Sequence, residues 1–293
     1  MRQKLSVYIP PYVKISVHDS QGDVRYAQNY SDYLSNPNAD IQIGIYGPSL
    51  IQILIQESYI NEKLQLNHIL TNDPHGDASR LIGSIAESLV VDWCNRYPDV
   101  NRTLGTYARS GQRETKTLDR YIAVATDSLR TKALYRQYYN PKDTQRDILW
   151  VDKDDTDNQL LAITPGQSRS SAKPAGLQVK ASHDGMKYVF PNIEDYHYPI
   201  LYFDLNGDWG VVRKAIMETH KTSILIHPDE IQREIKSTLK GYFDIVVKVI
   251  NRELSIERVI QDAKYYGDSV LSTGLDTAYV NDSISQIILP SRF

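Results

Sequence analysis

The sequence predicts an α/β fold, a central mixed β-sheet flanked by helices, with an N-terminal segment before it and C-terminal helices after it. Three observations carry this. Over residues 77–97, Leu81, Ile82, Ile85, Leu89 and Trp93 recur at helical spacing and form one apolar face. Downstream, short apolar runs at 147–151, 160–163, 176–181, 199–204 and 222–226 have the length and composition of strands. The chain has 293 residues, 41% hydrophobic and 24% charged, enough for one large domain or a core with a smaller appendage. The expected organisation is an N-terminal lobe or arm over 1–70, a core over 71–227, and a C-terminal helical extension over 228–293 packed on that core.

In chain order, residues 28–40 are rich in Asn, Asp and Ser and read as loop, followed by apolar runs at 41–46 and 50–55. The helix over 77–97 can be capped by Asp77 or Ser79. Glu87 lies on it with Gly83, Val91 and Cys94, small or apolar residues that share its face because successive members lie three or four apart. That setting points Glu87 toward a cleft rather than toward bulk water. Residues 101–108 read as a short strand. Residues 115–139 read as a second helix, with Leu118, Tyr121, Ile122, Ala125, Leu129, Ala133 and Leu134 inward. The run Asp152 to Asp157 between two strand candidates reads as a hairpin turn. It lacks the glycine and final glutamate of a calcium loop. Residues 164–176 read as a loop, 210–219 as strand or helix, and helical patterns run from Pro228 to about 240 and over 255–266.

Several function classes are excluded. The formal net charge of -3 argues against a passive nucleic-acid coat, which needs a positive excess. No apolar run is long enough to span a bilayer, and the opening MRQKLSVYIPPYVKISV lacks the apolar core of a signal peptide. The single cysteine, Cys94, permits no intrachain disulfide and fits a reducing, cytoplasmic setting. Walker-type and dinucleotide-binding glycine motifs are absent, as are histidine or cysteine pairs at zinc spacing. Tyr266-Gly-Asp-Ser269 has the look of a hydrolase nucleophile segment, but no histidine follows it to act as base.

One constellation carries chemistry. A helix presents Glu87, a strand opens at Asp147, and a second strand carries Gln178 and Lys180. Strand residues two apart point to the same face, so Gln178 and Lys180 emerge together while Val179 is buried. Asp147, Glu87 and the carbonyl oxygen of Gln178 are the hard oxygen donors that Mg²⁺ prefers, with Mn²⁺ as a substitute. Lys180 can hold a water or stabilise charge on a phosphorane.

In these residues, Glu87 in GSIAESLVVDW, Asp147 in RDILWVD and Gln178–Lys180 in GLQVKAS, the chain resembles the PD-(D/E)xK nuclease superfamily. The run YPILYFDL is similar to the strand that completes that family's central sheet, and the resemblance covers residues 77–227 as an ordered motif. It implies a restriction-endonuclease-like core and a Mg²⁺-dependent endonuclease acting on DNA, of the type II restriction or a related genome-defence kind. It also implies a homodimer, since two sites about a two-fold axis suit two antiparallel strands. Two departures stand out. Gln178 replaces the family's second acid, and Arg146 stands where a proline often precedes the aspartate. Arg109, Arg113, Lys116, Arg120, Arg169, Lys173 and His183 are the expected DNA contacts flanking the cleft, since a negative chain must bind through local positive surface. The alternative is a non-catalytic DNA-binding or assembly protein that keeps a degenerate nuclease fold.

Overall fold

The computed structural model describes residues 14–18, 23–36, 38–68, 70–71, 73–109, 116–157, 160–163, 173–219, 224–267, 277–281 and 286–290. The chain opens with strands β1 (Lys14–His18) and β2 (Val24–Asn29) and helices α1 (Tyr30–Ser35) and α2 (Ala39–Gln56). Helices α3 (Pro74–Arg96) and α4 (Pro98–Ala108), strand β3 (Tyr121–Ala125), helix α5 (Leu129–Leu134) and strands β4 (Ile148–Asp152) and β5 (Gln178–Ser182) follow. Next come α6 (Gly185–Tyr188), β6 (Ile200–Asp204), α7 (Trp209–Glu218), β7 (Leu225–Ile226) and α8 (Arg233–Ile250). The chain closes with α9 (Ile256–Gly267), β8 (Thr277–Asn281) and β9 (Gln286–Pro290).

The chain divides into two compact units, one made of Met1–Gln52 with Asn251–Phe293, the other of Ile53–Ile250. In the first, β2, β1, β8 and β9 form an antiparallel sheet in that order, so β1 lies between strands from opposite ends of the sequence. The second holds a mixed set of strands. β3 and β4 pair antiparallel from Tyr121↔Asp152 to Ala125↔Ile148. β5, β6 and β7 pair parallel in that order. A single antiparallel bridge, Ile148↔Leu177, joins the two groups.

Helix α3 begins where Asp73 accepts the Gly76 N–H at 3.0 Å and Pro74 occupies the first turn, which needs no donor. Its buried face, Leu81, Ile82, Ile85, Leu89 and Trp93, is the one expected from sequence. It packs against α4, β3, β5 and α8. Burial of each such side chain contributes about 1.5–3 kcal/mol. Register and alternation put Gln178, Lys180 and Ser182 on one face with Ile200, Tyr202 and Asp204. On that face Ile200 and Tyr202 pack with Val189, Ile193, Val212 and Ile216.

Several expectations are corrected. Residues 101–108 are not a strand but part of α4, whose buried Val100, Leu104 and Ala108 recur every four residues. Asn101 fixes this helix by accepting the Trp150 indole N–H at 2.8 Å and donating to the Leu118 and Tyr121 carbonyls. The single helix expected over 115–139 is a 3-10 turn over Lys116–Arg120, then β3, then α5. Ser128 ends the strand segment and caps α5 by accepting the Arg130 N–H at 3.0 Å. Residues 160–163 make isolated bridges rather than a strand, the run from 210, open between strand and helix, is helical in α7 up to Glu218, and the apolar runs of 41–55 belong to one helix, α2. Residues 28–40, read as loop, contain the end of β2 and all of α1. The last segment is not purely helical: α8 belongs with Ile53–Ile250, while α9, β8 and β9 belong with the N-terminal residues.

Candidate active site

The site forms where β4 parts from β5. Asp147 and Ile148 donate their N–H groups to the Leu177 carbonyl, and Leu177 N–H returns to Ile148. Two residues further along, in β5, the Val179 N–H meets the Asp147 side chain instead of a strand partner, at 2.7 Å from Oδ2. The same oxygen accepts Nε2 of Gln178 at 2.7 Å and lies 3.9 Å from the Lys180 ammonium. Asp147 is therefore fixed by the backbone it completes, and the parting of two strands aims it at Gln178 and Lys180.

Gln178 is 2% exposed. With Nε2 committed to a carboxylate, its Oε1 is left buried with no hydrogen-bond partner. Such an orphan acceptor costs about 1–3 kcal/mol unless something binds it. Lys180 lies with its ammonium 4.9 Å from the Tyr196 ring centroid, a cation–π support that holds it beside Asp147.

Glu87, half-buried on α3, belongs electrostatically to the same place. Burial, then the charges of Asp147 and Asp127, push its carboxyl well above the ordinary range. A hydrogen bond with Asp127 adds to this, and Lys180 pulls the other way. Burial pushes Asp147 up to about 6, against the pull of Lys180 and the Val179 N–H. In both acids burial is the leading cause, so the two carboxyl groups share a desolvated pocket in which the Lys180 ammonium is the countercharge.

Asp127 was missed from sequence because the segment was read as helix, where an acid merely dilutes a basic face. It lies in the turn after β3, held on both sides. Thr126 N–H donates to the Asp147 carbonyl at 2.8 Å and Thr126 Oγ1 to the Arg146 carbonyl at 2.8 Å. Ser128 Oγ donates to the buried Glu57 at 2.6 Å. Tyr59, hydrogen-bonded to Ser84, senses Asp127, Glu57 and Glu87, and burial first, then these charges, raise it to about 12. Only the Thr-Asp-Ser sequence, a turn and cap signature, could have separated Asp127 from a helix in advance.

The expected basic rim is mostly elsewhere. Arg109 is 7% exposed and so is not a surface contact. Lys116 and Arg120 sit at the Tyr121↔Asp152 end of the β3–β4 pair, whereas Asp147 precedes the Ile148 end. They are roughly 15 Å from the site at about 3.3 Å per strand residue, so they do not flank it. Arg120 also pairs with buried Asp152 at 2.9 Å. Arg113 and Arg169 lie outside the described residues. Lys173 does lie near: its ammonium and the Arg146 guanidinium share the Tyr198 ring, at 5.1 and 5.8 Å. His183, just past β5, is hydrogen-bonded to Ser79 of α3 at 2.8 Å and lies 5.7 Å from the Tyr188 ring.

Among the described residues, no three of His, Cys, Asp and Glu converge on one point as their side chains stand. The orphaned Gln178 oxygen and the carboxylates of Asp147 and Glu87 are nevertheless the donor chemistry a hard divalent ion takes. No described helix is long and apolar enough to cross a membrane. Comparison with protein-family models, curated proteins and solved structures found no match.

Proposed function

We propose that this chain is a Mg²⁺-dependent nuclease of the PD-(D/E)xK type that hydrolyses DNA phosphodiester bonds. The observation that carries the reading is the meeting of Asp147, Gln178 and Lys180 where β4 leaves β5, with Glu87 of α3 in the same electrostatic field. Supporting it is the chain order of α3, antiparallel β3 and β4, then β5 and a parallel β6, the order expected of a restriction-endonuclease-like core.

Asp147, Glu87 and Gln178 Oε1 are the residues that would hold the ion. When bound, it supplies a low-pKa water and polarises the scissile phosphate. Lys180, supported by Tyr196, orients a water or offsets charge on the phosphate oxygens as the bond breaks. Lys173, backed by Tyr198, presents positive charge to the flanking backbone, while Arg146 on the same ring is paired with Asp143 at 2.8 Å. A genome-defence role acting as a two-fold dimer follows from the same resemblance.

A second reading, a non-catalytic DNA-binding or assembly protein, is favoured by one observation. Asp147 accepts hydrogen bonds from Val179 N–H and Gln178 Nε2 within the protein itself, as a carboxylate plugging a strand junction would. Relaxation of supercoiled plasmid by the full chain in Mg²⁺, with a chelator control, separates the two. Cleavage that stops in the chelator is expected. Metal-independent plasmid binding without cleavage would favour the second.

A further inference from the structure

We infer that Gln145 is a positioning residue for Lys180, acting through Tyr196. The inference rests on the proposed function in taking Lys180 as the group that must be held in place. The carboxamide of Gln145 grips the backbone on both sides of Tyr196. Its Nε2 donates to the Asp195 carbonyl at 2.9 Å, and its Oε1 accepts the His197 N–H at 3.0 Å. A strand residue grips its neighbour in a parallel ladder in the same way, through the carbonyl before that neighbour and the N–H after it. Turning the amide over would set N–H against N–H and oxygen against oxygen, so it has one setting. Tyr196 is thereby fixed in the irregular segment that leads into β6. Its ring centroid lies 4.9 Å from the Lys180 ammonium.

The backbone of Gln145 is tied down as well. Its own N–H and that of Arg146 donate to Asp143 Oδ1 at 3.0 and 3.1 Å, and the Arg146 carbonyl accepts Thr126 Oγ1 at 2.8 Å. One short segment therefore carries Asp147 in its backbone and holds the support of Lys180 with a side chain. The support matters because the Lys180 ammonium stands 3.9 Å from Asp147 Oδ2, an ion-pair distance too long for a hydrogen bond. Lysine is a point charge on a flexible stem, and an ion pair of that length gives it little direction. The Tyr196 ring does give direction, since its quadrupole attracts an ammonium over the face. Loosening Tyr196 would leave Lys180 its charge but not its place.

The test is nuclear magnetic resonance of the full chain carrying isotope-labelled lysine. A methylene over an aromatic face is shifted upfield by the ring current, and Lys180→Arg assigns the Lys180 signal. The variants are Gln145→Met, which keeps the stem and loses both hydrogen bonds, Gln145→Ala, Tyr196→Leu, which removes the ring, and Tyr196→Phe, which keeps it. We expect an upfield Lys180 signal in the parent and in Tyr196→Phe, and its return toward the position of exposed lysines in the other three. Adding Gln145→Met to Tyr196→Leu should change nothing further, as for two residues acting in series. Circular dichroism verifies the fold. A parent-like Lys180 signal in the folded Gln145 variants, or no upfield signal in the parent, overturns the inference. So does loss of the fold in both Gln145 variants, which would make Gln145 a structural residue. In Mg²⁺-dependent plasmid cleavage, Gln145→Met should lower kcat on the order of tenfold with KM within about twofold, because a charge is misplaced while binding is kept. Unchanged kcat in a variant whose Lys180 signal has moved also overturns the inference. A parent that leaves DNA intact while its Lys180 signal follows Gln145 rejects the nuclease reading alone. A parent that cleaves while its Lys180 signal ignores Gln145 rejects the inference alone.

Discussion

At Asp147 one carboxylate oxygen completes a strand junction, orients a glutamine and faces a lysine. Its two roles can be separated by replacing charge while keeping shape. Asp147→Asn should abolish Mg²⁺-dependent cleavage and weaken metal binding, because the remaining amide oxygen carries no charge to hold the ion. Lys180→Ala should lower cleavage by on the order of a hundredfold while metal binding persists, since only a water or phosphate contact is lost. Parallel cleavage assays and metal titrations read both, and variants that cut like the parent would remove these residues from the chemistry. The raised Asp147 also predicts a pH effect. The fold holds it at about 6 rather than 3.8, so the fold favours its protonated form. That stabilisation is complete below about pH 4 and is lost as the pH rises through about 6. Without metal, Asp147→Asn should therefore unfold roughly 2–5 °C above the parent at pH 8, and the gap should close toward pH 4. A gap that does not change with pH would show that the carboxylate's ionisation does not burden the fold.

At the scale of elements, the β3–β4 pair decides which basic residues can reach a substrate. Lys116 and Arg120 belong to its far end, and Lys173 to the site end through Tyr198 and Arg146. Lys173→Glu should weaken DNA binding several-fold and reduce the slope of log affinity against log salt by about one. Lys116→Glu should leave both at the parent value. Titrations at three salt concentrations would expose the reverse pattern, which would move the DNA path to the other end of the strands. The β5–β6 layer depends on a close approach at Gly185, at the start of α6. Its N–H donates to Asp208 Oδ2 at 2.6 Å, while Oδ1 of the same residue accepts the Tyr202 hydroxyl at 2.6 Å. A Cβ there would strike that hydroxyl and lie 2.7 Å from Val212 Cγ2. Gly185→Ala should cost about 1–3 kcal/mol in chemical denaturation, as overpacking does. A wild-type midpoint would mean that α6 can shift without disturbing β6.

For the whole molecule, the unit made of Met1–Gln52 and Asn251–Phe293 is closed by strand pairing between the two ends of the sequence. β1 donates one edge to β2 and the other to β8, with Lys14↔Asn281 and Ser16↔Tyr279 in register. Removing residues 268–293 leaves the β8 edge of β1 without its partner. Hydrogen exchange on that truncated chain should show β1 amides losing protection while β5 and β6 keep theirs. Unchanged protection in β1 would mean that β2 alone holds the strand.

The sequence by itself determined the elements whose signal is local and repeated. Helix α3 was legible because Leu81, Ile82, Ile85, Leu89 and Trp93 hold one period over about three turns. β4, β5 and β6 were legible because each is a short apolar run with clear breaks. Alternation along β5 was enough to put Gln178 and Lys180 on one face. It could not separate β3 from a helix, because Tyr121–Ala125 is too short to distinguish a period of two from one of 3.6. Nor could it bring Asp127 into the field of Glu87 and Asp147 or set Tyr196 beside Lys180, or show that Arg109 is buried and Arg120 remote. Those facts depend on strand pairing between residues far apart in the chain. A side chain's distance from a site is set by register and by the direction of a strand, and neither is written in the residues around it.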